Sequence, residues 1–143
     1  MKIGFDPESF RWQGIEPRPY REGGGFEGIA RHVLADQLPA GFALRYFELE
    51  PGGYSSLEKH RHVHLVIVLR GTGKALVGDT VVELKPFDAV YVQPMTPHRW
   101  INEGADAFGF LCPVDAERDR PQPLDADERD ALRSNPVTAP YAF

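Results

Sequence analysis

An all-β fold is what this sequence predicts, and three observations carry the prediction. Thirteen prolines and fourteen glycines divide 143 residues into short pieces. Between these breakers the apolar residues are β-branched or aromatic more often than helix-forming, which suits a pleated, half-buried surface. Eight such runs follow one another from Ile29 onward, a number that fits a jelly-roll β-sandwich or small barrel. The length suffices for one domain with its own core and is short for two.

Residues 1 to about 28 hold Pro7, Pro17, Pro19 and the glycine run from Gly23 to Gly25, so they read as an extended N-terminal arm. The core, about residues 29–115, then offers strands at Ile29–Leu34, Phe42–Leu49, His60–Leu69, Lys74–Val77, Thr80–Leu84, Ala89–Val92, His98–Ile101 and Ala107–Val114. Gly71-Thr72-Gly73 and Gly78-Asp79 supply the positive-φ residues of tight turns, so Lys74–Val77 and Thr80–Leu84 are expected to pair antiparallel. In the tail, residues 116–143, one short helix is expected over Leu124–Arg133. Asp125 can cap it with Glu128 three residues on, and Pro136 stops it.

Composition narrows the function classes. A net charge of −5, with acids and bases interspersed, argues against nucleic-acid and anionic-membrane partners. No run of about 20 apolar residues is available to cross a bilayer. The opening MKIGFDPESFRW contains Asp6 and no apolar stretch of signal-peptide length. The single Cys112 leaves no intramolecular disulfide to form, so a cytoplasmic location is expected. What remains as ligand is a small molecule or an ion.

Three of the five histidines lie in Glu58-Lys59-His60-Arg61-His62-Val63-His64, directly before the apolar run Leu65–Leu69. On a strand, alternate side chains share one face with about 6.6 Å between successive members. Glu58, His60, His62 and His64 are therefore expected to look the same way. Nitrogen and oxygen donors without paired cysteines suit one divalent transition metal: Zn, Mn, Fe, Ni or Cu. Imidazoles on a face that continues as Val66 and Val68 need something to satisfy them, at about 1–3 kcal/mol each, whereas a solvent-facing triplet needs nothing. Because imidazole must be neutral to ligate, metal affinity is expected to fall as pH drops through about 6. His32, alone on its strand, reads as an ordinary packed residue.

The stretch from Gly52 to Gly71 resembles the first cupin motif: a glycine, a spacer, His-x-His, a second spacer, an acid or other ligand, and a closing glycine. Phe87–Asn102 resembles the second motif, with Pro97-His98 and Asn102 near its end. The resemblance implies a cupin β-barrel around one metal, with His60, His64 and His98 as ligands and a fourth place that His62 or Glu58 fills. Counting from Gly52 favours Glu58, and counting from the His-x-His pair favours His62. The all-histidine shell is the one taken here, because neutral nitrogen ligands leave the ion its full charge, and Glu58 is then free to serve as a general acid–base group. The resemblance further implies a metal-dependent enzyme, a dioxygenase-like oxidoreductase or an isomerase, acting on a small organic substrate in the barrel. A non-enzymatic small-molecule or metal-binding module is the alternative, because one fold hosts many functions. Phe87 and Met95 stand where the second motif has glycines, and Gln93 where it has proline. A methionine there implies a backbone with no need of positive φ.

Strand alternation offers Tyr46, Glu48, Tyr91, Gln93 and Trp100 as further pocket residues, and Phe110 and Cys112 share one face of the last strand. Cys112 suits ordinary packing as well as the pocket wall. Arg45 and Arg70 could grip a substrate carboxylate or simply be solvated. Val63, Leu65, Ile67 and Leu69 make the opposite face of the histidine-bearing strand apolar too, so a homodimer is expected.

Overall fold

The computed structural model describes residues 2–20, 24–35 and 41–143, so Gly23 of the arm lies outside the described residues. Two short strands, β1 (Phe5–Asp6) and β2 (Arg11–Trp12), form a hairpin, and β3 (Arg18–Pro19) pairs with β4 (Glu27–Ala35). The strand that organises the rest is β5 (Phe42–Tyr54), which takes part in both halves of one curled sheet. Residues Phe42 to Leu49 of β5 pair with β12 (Phe108–Asp115), whereas Tyr54 pairs with Ile101 of β11 (His98–Ile101). Gly52 permits this bend with φ of 79°, a left-handed conformation that glycine adopts freely.

On one side of the bend β4, β5, β12, β7 (His64–Arg70) and β10 (Ala89–Val92) lie in order. On the other side β11 pairs with β8 (Gly73–Val77) and β6 (Glu58–Lys59). Beyond them β9 (Thr80–Leu84) pairs with β8, and β13 (Gln122–Pro123) pairs with β6. The β8–β9 hairpin closes through Gly78 at φ 61°, as its Gly-Asp turn predicts. The core lies between the halves, with Phe47, Leu49, Val66, Val68, Trp100, Phe108 and Phe110 at its centre.

One predicted strand is broken. His60–Leu69 splits into β6 and β7, and residues 60–63 form a bend that carries the chain from one half of the sheet to the other. An unbroken strand would keep its hydrogen-bonding edge on a single neighbour, but Glu58 pairs with His98 while His64 pairs with Val92. The two ends of the segment thus answer to different partners.

The tail covers the outside of β8 and β11. Helix α1 (Ala126–Ser134) begins with the predicted capping box: Glu128 N donates to Asp125 Oδ1, and Asp125 N to Glu128 Oε2, both at 2.9 Å. Leu124 and Leu132 pack against Leu57, Leu76 and Ile101, which explains why every residue of β11 is buried. The arm is extended only in part. Its hairpin lays Phe10 and Trp12 on Tyr46, with ring centroids 5.6 and 4.9 Å away, and covers the outer face of β4 and β5. None of the described helices is long and apolar enough to cross a membrane.

The glycine-replacing residues of the second motif do have positive φ: 74° at Phe87 and 59° at Met95. Each follows a proline in a tight turn, since Asp88 N bonds Lys85 O at 3.0 Å across Pro86-Phe87 and Thr96 N bonds Gln93 O at 3.2 Å across Pro94-Met95. Proline at the second turn position followed by positive φ at the third is the type II pattern, where a Cβ is strained. Phe87 is 84 % exposed and contributes little packing to offset that strain. Phe87→Gly is therefore expected to stabilise the fold by about 0.5–1 kcal/mol, a rise in Tm of about 2–4 °C by calorimetry. A lower Tm would mean that the turn holds its shape without strain.

Candidate metal centre

The bend at residues 60–63 brings the histidines together. On an unbroken strand His60 and His64 would stand about 13 Å apart, too far for one ion. Here their Nε2 atoms face each other at 2.9 Å. His98 arrives from β11, where Glu58 is its register partner. The rings of His60, His64 and His98 form a triangle with centroids 4.6, 4.7 and 5.0 Å apart.

Hydrogen bonds at the other ring nitrogens aim these donors. His60 Nδ1 donates to the His62 carbonyl at 2.7 Å, and His98 Nδ1 to the Thr96 carbonyl at 2.9 Å. Each bond fixes the tautomer that leaves the Nε2 lone pair free. His98 Nε2 is buried with no hydrogen-bond partner, and unsatisfied buried nitrogens are uncommon. His64 Nδ1 lies 3.1 Å from Cys112 Sγ. Burial pushes His60 and His98 down to about 4 and His64 well below its ordinary value, so the three rings are neutral across the physiological range.

Two overlapping donor sets have their ligand atoms within 4.8 Å of one another: His60, His62 and His64, and Glu58, His60 and His98. His62 stacks on His60 with centroids 3.5 Å apart and planes within 2°. Its Nδ1 donates to Asp119 Oδ1 at 2.8 Å, and Asp119 also accepts the backbone N–H groups of Arg61 and His62 at 2.8 and 3.1 Å. These bonds hold the Asp119 carboxyl below its ordinary value although its surroundings push the other way. Glu58 is buried and accepts a hydrogen bond from Ser56 Oγ. Three imidazoles with a carboxylate at hand fit a borderline divalent metal, and the partnerless His98 Nε2 is the atom such an ion would satisfy.

The centre opens into a cavity of about 590 Å³. Trp100, Phe110 and Cys112 line it, as strand alternation predicts. Tyr46, Tyr91 and Gln93 do not. On β5 the inward parity belongs to Arg45 and Phe47, and Tyr46 lies on the opposite face, where its hydroxyl donates to Glu48 Oε2 at 3.0 Å. There it fills the space over Gly109, at which an added Cβ would come within 1.8 Å of the Tyr46 hydroxyl. Tyr91 is 57 % exposed because Val90 and Val92 take the inward positions of β10, and Gln93 follows Tyr91 outward. Arg70 is also outside, donating to Glu48 Oε2 at 2.8 Å. His32 is fully buried beneath Trp12, whose ring centroid is 6.1 Å away, in keeping with a packed residue. Asp119, Arg118 and Arg120 reach the cavity from the loop after β12, and no sequence spacing pointed to them. Burial raises the Cys112 thiol above its ordinary value, against the pull of Arg45, so it stays protonated.

The comparisons with known proteins agree with this architecture. The cupin domain profile matches residues 45–114. The 1-methylthio-D-xylulose 5-phosphate methylsulfurylase of Rhodospirillum rubrum is 42 % identical over 121 residues, 82 % of this chain and 78 % of that protein. The crystal structure of a cupin 2 conserved barrel domain protein from Rhodopseudomonas palustris superposes with a TM-score of 0.91 at 36 % identity, covering 99 % of this chain and 98 % of that one. A cupin-2 domain structure from Rhodospirillum rubrum gives 0.85 at 36 % identity, covering 99 % and 95 %. The curled sheet, the histidine cluster beside its cavity and these matches along nearly the whole chain lead to one statement of identity: the chain belongs to the cupin family.

Proposed function

We propose that this protein is a metal-dependent enzyme acting on a small phosphorylated methylthio-sugar, the substrate class named for its 42 %-identical relative. The observation that carries the metal is the clustering of three neutral imidazoles, His60 and His64 on the cavity wall and His98 packed against both, with His98 Nε2 buried and without a hydrogen-bond partner among the described residues. When bound, the metal supplies Lewis-acid polarisation of a substrate oxygen. Trp100 and Phe110 give the cavity an apolar wall that excludes water, and Cys112 orients His64 through its Nδ1. The assay is mass spectrometry of 1-methylthio-D-xylulose 5-phosphate incubated with the metal-loaded protein. Conversion by the wild type and none by His98→Ala supports the reading. Bound metal with no conversion overturns it in favour of a non-enzymatic binding module or of oxidoreductase or isomerase chemistry on another substrate.

The parallel stacking supports Glu58 rather than His62 as the fourth ligand. Imidazole lone pairs lie in the ring plane, so an ion in the plane of His60 stands off the plane of His62 by about the stacking distance, 3.5 Å. Glu58, opposite His98 in the ladder and held by Ser56, has no such conflict. Glu58→Gln is expected to weaken metal affinity about 10- to 100-fold, while His62→Ala leaves it within a factor of about three. Metal content after dialysis against a graded chelator reads both variants, and the reverse order would restore His62 to the shell.

The assembly we infer is a homodimer through the outer faces of β7 and β10, where Leu65 and Tyr91 are 43 and 57 % exposed. Sedimentation velocity reads it directly, and a monomer at micromolar concentration would end it. A cytoplasmic setting, in keeping with the lone Cys112, and the absence of nucleic-acid or membrane partners, in keeping with the net charge of −5, complete the proposal.

A further inference from the structure

Arg45 points into the cavity from β5 and is 5 % exposed. Among the described residues its guanidinium bonds no carboxylate or carbonyl. Nη2 lies 3.5 Å from Cys112 Sγ, the group sits 5.1 Å from the centre of the Phe47 ring, and Nε is buried without a partner. Other arginines of the domain have oxygen acceptors, although Arg99 Nε is also buried without a partner. Arg99, equally buried, donates to the carbonyls of Tyr141, Phe143 and Gly25, and both Arg11 and Arg70 pair with Glu48. The acids of the cavity are engaged elsewhere, Glu58 by Ser56 and Asp119 by Arg61 and His62. A buried charge without a counter-charge is expensive and persists only when something repays it, here an anion that comes from outside.

We propose that Arg45 is the oxyanion-recognition residue of the cavity, taking the phosphate of a small substrate in a two-pronged grip while the substrate's reacting end lies against His60, His64 and His98. This deepens the reading given above and rests on it for the identity of the anion. The spacing suits a short molecule, because only the Cys112 thiol and the His64 ring lie between the two sites: Cys112 Sγ is 3.5 Å from Arg45 Nη2 and 3.1 Å from His64 Nδ1, whose Nε2 faces His60. Arg118 and Arg120 on the cavity's lining add positive charge along the way in. A planar guanidinium matches phosphate and carboxylate alike, so the shared chemistry is an oxyanion and the test separates the two.

The test is calorimetric titration of inorganic phosphate, and separately acetate, into the protein as purified with its metal, at fixed ionic strength. Arg45→Met keeps an unbranched apolar stem and removes the charge. It is expected to weaken phosphate binding about 10- to 100-fold while the ligand-free Tm stays level or rises and metal content is unchanged. Arg45→Lys keeps the charge without the fork and should recover part of the affinity, which keeps the proposal testable if the methionine variant folds poorly. A lowered Tm with wild-type phosphate binding in Arg45→Met would make Arg45 a structural residue and overturn the proposal. Phosphate binding that survives Arg45→Met but vanishes in His98→Ala or in an Arg118→Gln/Arg120→Gln double variant would overturn it too. Acetate binding more tightly than phosphate, and lost in Arg45→Met, would overturn the phosphate while keeping the anchor. Failure of the metal reading looks different: elemental analysis finds no metal, yet phosphate binding still depends on Arg45.

Discussion

His98→Ala is expected to lower divalent-metal affinity about 100- to 1,000-fold, since a four-ligand site divides its binding free energy among few donors. His98 is the best single test because its role is separable from folding. Its Nε2 bonds nothing among the described residues, so removing the ring from the metal-free fold orphans no partner of that nitrogen. The bond that is lost, Nδ1 to the Thr96 carbonyl, belongs to a residue two positions away. The variant's metal-free Tm should therefore stay close to that of the metal-free wild type, while the rise in Tm that metal gives the wild type should nearly vanish in the variant. Elemental analysis and thermal shift with and without Zn or Mn read the two quantities. Full metal content in His98→Ala would remove the centre from this place.

The second large effect is on acid stability. Burial holds His60 and His98 at about 4 in the fold, whereas in the unfolded chain each titrates near its ordinary value of about 6.5. Below about 6.5 the unfolded state takes up protons that the fold refuses until about 4, so stability of the metal-free protein falls as pH drops through that window and levels off beneath it. Linkage puts the loss on the order of 3 kcal/mol for each ring. The same shift moves proton competition for the metal from the sequence-based value near 6 down toward 4, because ligands already neutral at pH 5 need no deprotonation. Denaturant titrations between pH 8 and 4 should therefore show declining stability without metal, while metal affinity stays level down to about pH 5. Affinity with a midpoint near 6 would mean that the rings titrate as if exposed.

Helix α1 and the β8–β9 hairpin were legible in the sequence because their signals are local. Asp125 with Glu128 forms a cap from residues three apart, and Gly78 sets a turn whatever surrounds it. The turns at Phe87 and Met95 were legible in principle as well, since Pro86 and Pro94 precede them. There the absence of glycine hid a conformation that proline had announced. The pocket parity of β5 was not legible. Tyr46 and Phe47 are adjacent and both buried, so hydrophobicity cannot choose which one faces inward, and the choice fell to Trp12 and Phe10 covering Tyr46 from outside.

By itself the sequence determined an all-β domain, its eight core strand regions, a capped tail helix and a concentration of histidines in one short segment. Each of these depends on the order of residues along a few turns of chain. Only the tertiary structure decided that the histidine segment bends between two halves of the sheet, how closely the His98 ring comes to those of His60 and His64, and that Arg45 stands buried beside Cys112 with no counter-charge among the described residues. Those facts depend on which strands become neighbours, and neighbours are chosen by long-range pairing and burial, which act between residues far apart in the chain.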